Sequence, residues 1–140
     1  MNTPRSALET ATSIRDGERT ATEVLEEHLE TIDRLNPTLN AVCLRDDERA
    51  RADAGAIDSA LAKGRGSQLG PFAGVPMLIK DLNDVAGWTT TYGSRATSAE
   101  PAERDELAVA RLRAAGFVLT GKTTTPEFGT ISMTESKLFG

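Results

Sequence analysis

The feature that most constrains this chain is a short, unbroken apolar run, Val75-Pro76-Met77-Leu78-Ile79. An apolar run without polar alternation reads as a strand covered on both faces. Pro76 fits only near the start of such a strand, because it cannot donate to the ladder. Further on, Glu103 to Ala115 has the marks of a helix. Acids gather in its first turn, Leu107, Ala108 and Leu112 give it an apolar face, and Arg111 and Arg113 lie near its end. Gly116 can take the left-handed cap. Phe117, Val118, Leu119 and Thr120 then form a second buried strand. Strand, helix, strand implies a right-handed crossover and a parallel pair. The expected fold class is α/β, with helices around a mixed sheet.

The first half of the chain has a different character. Thr20-Ala21-Thr22-Glu23 fits a capping box, in which hydroxyl and carboxylate each satisfy an orphan amide of the first turn. Val24, Leu25, Leu29, Ile32 and Leu35 recur at helical spacing and mark a buried stripe. Asn36-Pro37 should stop this helix, since proline disfavours helical geometry just before it. A second helix is expected from Asp46 to about Lys63. It is rich in alanine and charge, and Gly64-Arg65-Gly66 gives its exit. The chain therefore divides into a helical segment, 1–68, and the first strands and helix of a sheet-containing core, 69–140. Two or three strands make a poor sheet when each needs cover on both faces, so the core reads as incomplete.

Composition narrows the function. The 140 residues carry 21 acids against 16 bases, a net charge of −5. A general nucleic-acid binder needs a basic face to displace phosphate counterions, so no direct nucleic-acid partner is expected. Cys43 is the single cysteine, which rules out an internal disulfide and suggests a reducing compartment. No basic-then-apolar leader opens the sequence, and no apolar run approaches the roughly 18 residues of a membrane span. The expectation is a cytoplasmic protein with no membrane partner.

Lys80 is the candidate catalytic residue. It ends the apolar strand, where the backbone is held rigidly and the side chain can face a cleft at the sheet's carboxyl edge. Partial desolvation there would lower the pKa of the amine and let it act as a neutral base. Its context is Gly70-Pro-Phe-Ala-Gly-Val-Pro-Met-Leu-Ile-Lys80-Asp81. Further blocks follow in order: Gly87 to Ser94, Leu112 to Thr123, Thr125 to Gly129, and Thr134 to Gly140. As a set over residues 69 to 140 they resemble the amidase-signature family.

The resemblance implies a Ser–cis-Ser–Lys hydrolase of carbon–nitrogen bonds, with a small amide as substrate and no metal or organic cofactor. In that family a neutral lysine takes a proton through a serine on a cis peptide, and this serine activates the nucleophilic one. Backbone amides of a glycine-rich loop form the oxyanion hole. Nothing like Gly-Gly-Ser-Ser-Gly-Gly occurs in this sequence. Ser132 and Ser136 do not stand in that motif and receive no nucleophilic role. The chain thus reads as an amino-terminal portion of such an enzyme, inactive alone. It would be completed by a downstream chain or belong to a full-length enzyme that can form a homodimer. Two alternatives stand beside it: the A subunit of glutamyl-tRNA(Gln) amidotransferase, and a noncatalytic truncated gene product.

Other signals yield simpler readings. Gly116 to Thr123 satisfies the phosphate-loop pattern G-x-x-x-x-G-K-[ST]. Its four variable residues are Phe, Val, Leu and Thr, which should be strand rather than loop, and a helix precedes it rather than follows. Lys122 is then structural or at a cleft edge. Asp81 is expected to hold a loop or orient a neighbour. His28, with no second histidine, cannot anchor a metal site or a Ser–His pair within this chain. Cys43 lies in an apolar stretch and should pack as a small hydrophobe.

Overall fold

The computed structural model describes residues 5–98 and 100–140. Four helices and three strands follow in the order α1 (Ala7–Arg15), α2 (Ala21–Leu39), β1 (Val42–Arg45), α3 (Asp47–Ala62), β2 (Pro76–Lys80), α4 (Leu107–Ala114) and β3 (Val118–Thr123). The sheet order is β1-β3-β2, with β1 antiparallel and β2 parallel to the central β3. The fold is α/β around a mixed sheet, and the parallel pair is the one joined through α4.

The sheet separates two apolar clusters. One gathers Ile14 of α1, Val24, Leu25, Leu29 and Ile32 of α2, Ala50 and Ala54 of α3, and Val118 of β3. The other joins Ile79 and Leu119 to Val109 of α4 and to Val85 and Trp88 of the connection after β2. Neighbouring strand residues thus feed opposite layers, as Val118 and Leu119 do, which is the alternation a pleated strand imposes. Small residues let the helices close on each other: Ala21, Ala50 and Ala54 have no accessible surface.

Three helices precede β2 where the capping and periodicity signals marked two. The additional one, α1, has its own capping box between Ser6 and Glu9. The expected box at Thr20 and Glu23 is present on α2. Asn36-Pro37 does not stop that helix, which runs one turn further to Leu39 with Pro37 inside it. Asn36 explains the tolerance. Its Oδ1 accepts the amides of Ala41 and Val42, each at 2.8 Å, and its Nδ2 donates to the Val42 carbonyl at 3.0 Å. Asn40 then closes the helix in the left-handed conformation with φ 47°, which asparagine adopts more readily than most residues. Leu35, expected in the buried stripe, lies outside the core at 39% exposure, and Leu39 in the extra turn is 63% exposed.

Asp46 caps α3 as its N-terminal residue, through the Arg49 amide. The helix read from Glu103 starts instead at Leu107. The acids before it are engaged elsewhere: Asp105 accepts the Ala86 amide at 2.8 Å and pairs with Arg113 at 2.8 Å. Those bonds hold 103–106 out of helical geometry. The face also differs, since Leu107 is 66% exposed and Val109 is buried. Strand β1, inside the segment read as helical, supplies the antiparallel edge.

Candidate active site at the carboxyl edge of the sheet

Lys80 is the last residue of β2 and lies opposite Thr123 in the parallel register. The turn after it is fixed by backbone bonds. The Asp81 amide donates to the Thr123 carbonyl at 3.0 Å, and the Asn83 amide donates to the Lys80 carbonyl at 3.1 Å. By strand alternation Lys80 falls on the face opposite Ile79. Its side chain is exposed, and among the described residues no hydrogen bond or ion pair holds its amine. The desolvation expected at this strand end is therefore not supplied by this chain. The apolar cluster on that face reaches Leu78 and stops short of the edge.

The next residue is the opposite case. Asp81 is 1% exposed and meets the fully buried Lys122 at 2.8 Å. Lys122 also donates to the Thr89 carbonyl at 2.9 Å and to Thr90 Oγ1 at 2.6 Å. Asp81 accepts the Thr91 amide at 3.2 Å and the Thr91 hydroxyl. Its own carbonyl receives the Tyr92 amide at 3.1 Å. Asp81 thus holds a loop, as expected, and Lys122 is interior rather than at a cleft edge. The phosphate-loop pattern lies on β3 itself, where Val118 to Lys122 are buried in the sheet.

Beyond this anchor the loop forms a rim. Tyr92 and Phe128 both adopt positive φ, at 55° and 54°. Their rings lie 6.0 Å apart, and the Phe128 amide donates to the Tyr92 carbonyl at 2.8 Å. Ser94 Oγ donates to Glu127 Oε1 at 2.5 Å. Gly93 has no room for a side chain, because a Cβ would stand 2.6 Å from the Thr125 carbonyl oxygen. Residues 128–133 past this rim leave Phe128, Ile131 and Met133 more than half exposed.

Other singled-out residues lie away from the edge or take structural roles. His28 of α2 bonds Thr120 Oγ1 at 3.1 Å across the helix–sheet interface. Burial, followed by the nearby Arg45 charge, holds its imidazole below the ordinary value. The Cys43 thiol is pushed up to about 11, chiefly by burial, and is correspondingly inert. Ser132 is exposed, and Ser136 Oγ accepts the Phe139 amide at 3.0 Å. Among the described residues no group of three or more His, Cys, Asp or Glu could hold a metal ion, and no helix is long and apolar enough to cross a membrane.

The Amidase family model matches residues 23–140, and the chain belongs to that family. It is 36% identical over 135 residues to an acylamidase of Rhodococcus erythropolis, covering 96% of this chain and 28% of that protein. It is 38% identical over 135 residues to the glutamyl-tRNA(Gln) amidotransferase A subunit of Streptomyces coelicolor, covering 96% of this chain and 27% of that one. Among solved structures it resembles a chain of an inhibitor-bound vestigial protein complex that bears on the origins of an s-triazine catabolic enzyme. That match has a TM-score of 0.91 at 39% identity, over 97% of this chain and 30% of the other. The chain thus spans less than a third of the length of these relatives, and its fold is part of a larger one.

The Asp81–Lys122 pair is the element that motif reading missed. The sequence shows two opposite charges near the carboxyl ends of apolar strands predicted to be parallel neighbours, but not that both side chains enter the same layer.

Proposed function

We propose that Lys80 is the general base of a Ser–cis-Ser–Lys hydrolase of carbon–nitrogen bonds, with both serines supplied by polypeptide outside these 140 residues. The observation that carries this reading is the placement of Lys80. It stands at the carboxyl edge of a strand paired along its length, beside a braced turn, with its amine open to a partner. In its neutral form the amine takes a proton from the bridging serine, which takes one from the nucleophilic serine. The nucleophile's oxygen bonds to the amide carbonyl carbon. Collapse of that adduct breaks the carbon–nitrogen bond, and the leaving nitrogen takes the proton back through the same relay. Water then cleaves the acyl ester. The substrate class is a small or linear amide, the setting is the cytoplasm, and no cofactor takes part.

A second reading is favoured by the likeness to the amidotransferase. The same chemistry would there release ammonia from glutamine.

The test compares the purified chain with the same chain coexpressed with the remaining, nucleophile-bearing part of the family fold. The chain alone should show no amide turnover, because members of a catalytic unit lose function together. Coexpression should create turnover of simple aliphatic or aryl amides. Robust hydrolysis by the chain alone would overturn the proposal.

A further inference from the structure

We infer that Asp81 and Lys122 are positioning residues for Lys80: a buried ion pair that fixes the turn on which the base is mounted. This inference rests on the reading of Lys80 as the base and extends it to two residues that touch no substrate.

The geometry is closed on every side. A lysine ammonium has three donors, and Lys122 has three acceptors within reach, Asp81 Oδ1 at 2.8 Å, Thr89 O at 2.9 Å and Thr90 Oγ1 at 2.6 Å. Thr90 Oγ1 in turn lies 3.4 Å from the Asn83 carbonyl, at the far side of the turn that begins at Lys80. Asp81 ties the following loop through the amide and hydroxyl of Thr91. The Lys80 backbone is thus held between the β3 ladder on one side and a ring of bonds centred on Lys122 on the other.

A bulge in β3 makes this possible. Met77 pairs with Leu119 and Leu78 with Gly121, so Thr120 is an extra residue relative to β2. Leu119 packs in the layer with Val85 and Trp88, whereas Thr120 meets His28 of α2. Simple alternation would place Lys122, three residues after Leu119, in the α2 layer. The inserted residue restores it to the layer of Asp81 and re-aims its side chain, a known use of bulges beside active sites. Gly121 lets the bulge form against β1, since a Cβ there would come within 2.0 Å of the Leu44 carbonyl oxygen. The stretch Thr120-Gly121-Lys122, which imitates a phosphate loop in sequence, is the hinge of this brace.

Energetics favour a role beyond holding the fold. A buried ion pair is commonly no more stabilising than apolar residues of equal volume, because both charges lose their hydration. What it provides is direction: opposed charges and fixed donors allow one arrangement. Catalysis depends on direction, and misplacement of a reacting group by about 1 Å can cost about 100-fold in rate.

The test uses the enzyme with its nucleophile-bearing part present. Lys80→Met is the control for the underlying reading; full turnover in that variant would remove the base assignment itself. With that control inactive, Lys122→Met should lower kcat about 100-fold while KM stays within about threefold. Asp81→Asn keeps a carbonyl for Lys122 and serves if Lys122→Met does not fold, with an expected kcat loss of about tenfold. The double variant, which removes both buried charges together, should cost no more in kcat than Lys122→Met, because the two residues act as one unit. Independently of turnover, amide exchange at Asn83 and Tyr92 should accelerate in a folded variant while Leu119 stays protected. Unchanged kcat in folded single variants, kcat and KM changing in parallel, or unchanged exchange at Asn83 and Tyr92 would each overturn the inference.

Discussion

Lys80 and Lys122 stand on adjacent parallel strands, one register step apart, with Lys80 opposite Thr123 and Lys122 opposite Ile79. One is exposed and has no partner among the described residues; the other has no accessible surface and three partners. The same side chain meets opposite surroundings on the two faces of the sheet. On the face toward Val85, Trp88 and Val109 the chain completes its own interior. On the other face α1, α2 and α3 cover the sheet's middle and leave its carboxyl edge open. The difference separates what these residues build for themselves from what they offer to the rest of a larger fold.

The contrast can be broken most severely at Lys122. Lys122→Met leaves the Asp81 carboxylate buried beside Thr91 without its counter-charge. Unfolding should then become easier by about 3–5 kcal/mol in urea titration. Gly121→Ala attacks the bulge instead. Its Cβ would collide with β1 backbone rather than a yielding side chain, and a loss of about 2 kcal/mol or more is expected in the same assay. A reference point away from the sheet edge is the α2 cap, where Thr20→Ala should cost about 1 kcal/mol. Lys80→Met should change stability by no more than about 0.5 kcal/mol, as exposed substitutions do. Equal losses at the two lysines would erase the distinction between brace and base.

The smallest effect concerns His28, whose imidazole sits on the covered face against Thr120. Burial lowers its folded-state value below 6.5. The unfolded chain therefore binds this proton first as the solution is acidified. Its contribution to stability is full above about pH 6.5 and is lost as pH falls through the folded value. His28→Asn should flatten the decline in melting temperature between about pH 7 and pH 5. An unchanged slope would place that proton's effect elsewhere.

Much of this was legible in the sequence where local rules and tertiary demand agree. The Thr20 capping box, the Val24-to-Ile32 stripe and the parallel pairing of β2 with β3 follow from spacing and connection alone. The motif blocks from Gly70 onward point to the family to which the chain belongs. What was not legible depends on bonds between distant segments. Pro37 stays inside a helix because Asn36 satisfies the backbone after it, and α4 starts late because Asp105 is claimed by Ala86 and Arg113. Strand β1 is four residues long and has its pairing partner nearly eighty positions away, so no periodicity announces it. At the site, Lys80 was readable as a strand-end lysine in a motif. The role of Lys122 was hidden, because a one-residue bulge decides which layer it enters and the pattern at Gly116 to Thr123 suggests a different structure.

The central claim is that the exposed lysine, and not the buried one, carries the chemistry. Its most direct test is amide turnover by the completed enzyme bearing Lys80→Met, with folding checked by circular dichroism. The expected result is a folded protein whose kcat has dropped by about 10⁴-fold or more. A folded variant that keeps its rate within about tenfold would contradict the claim and return Lys80 to the status of an ordinary surface residue.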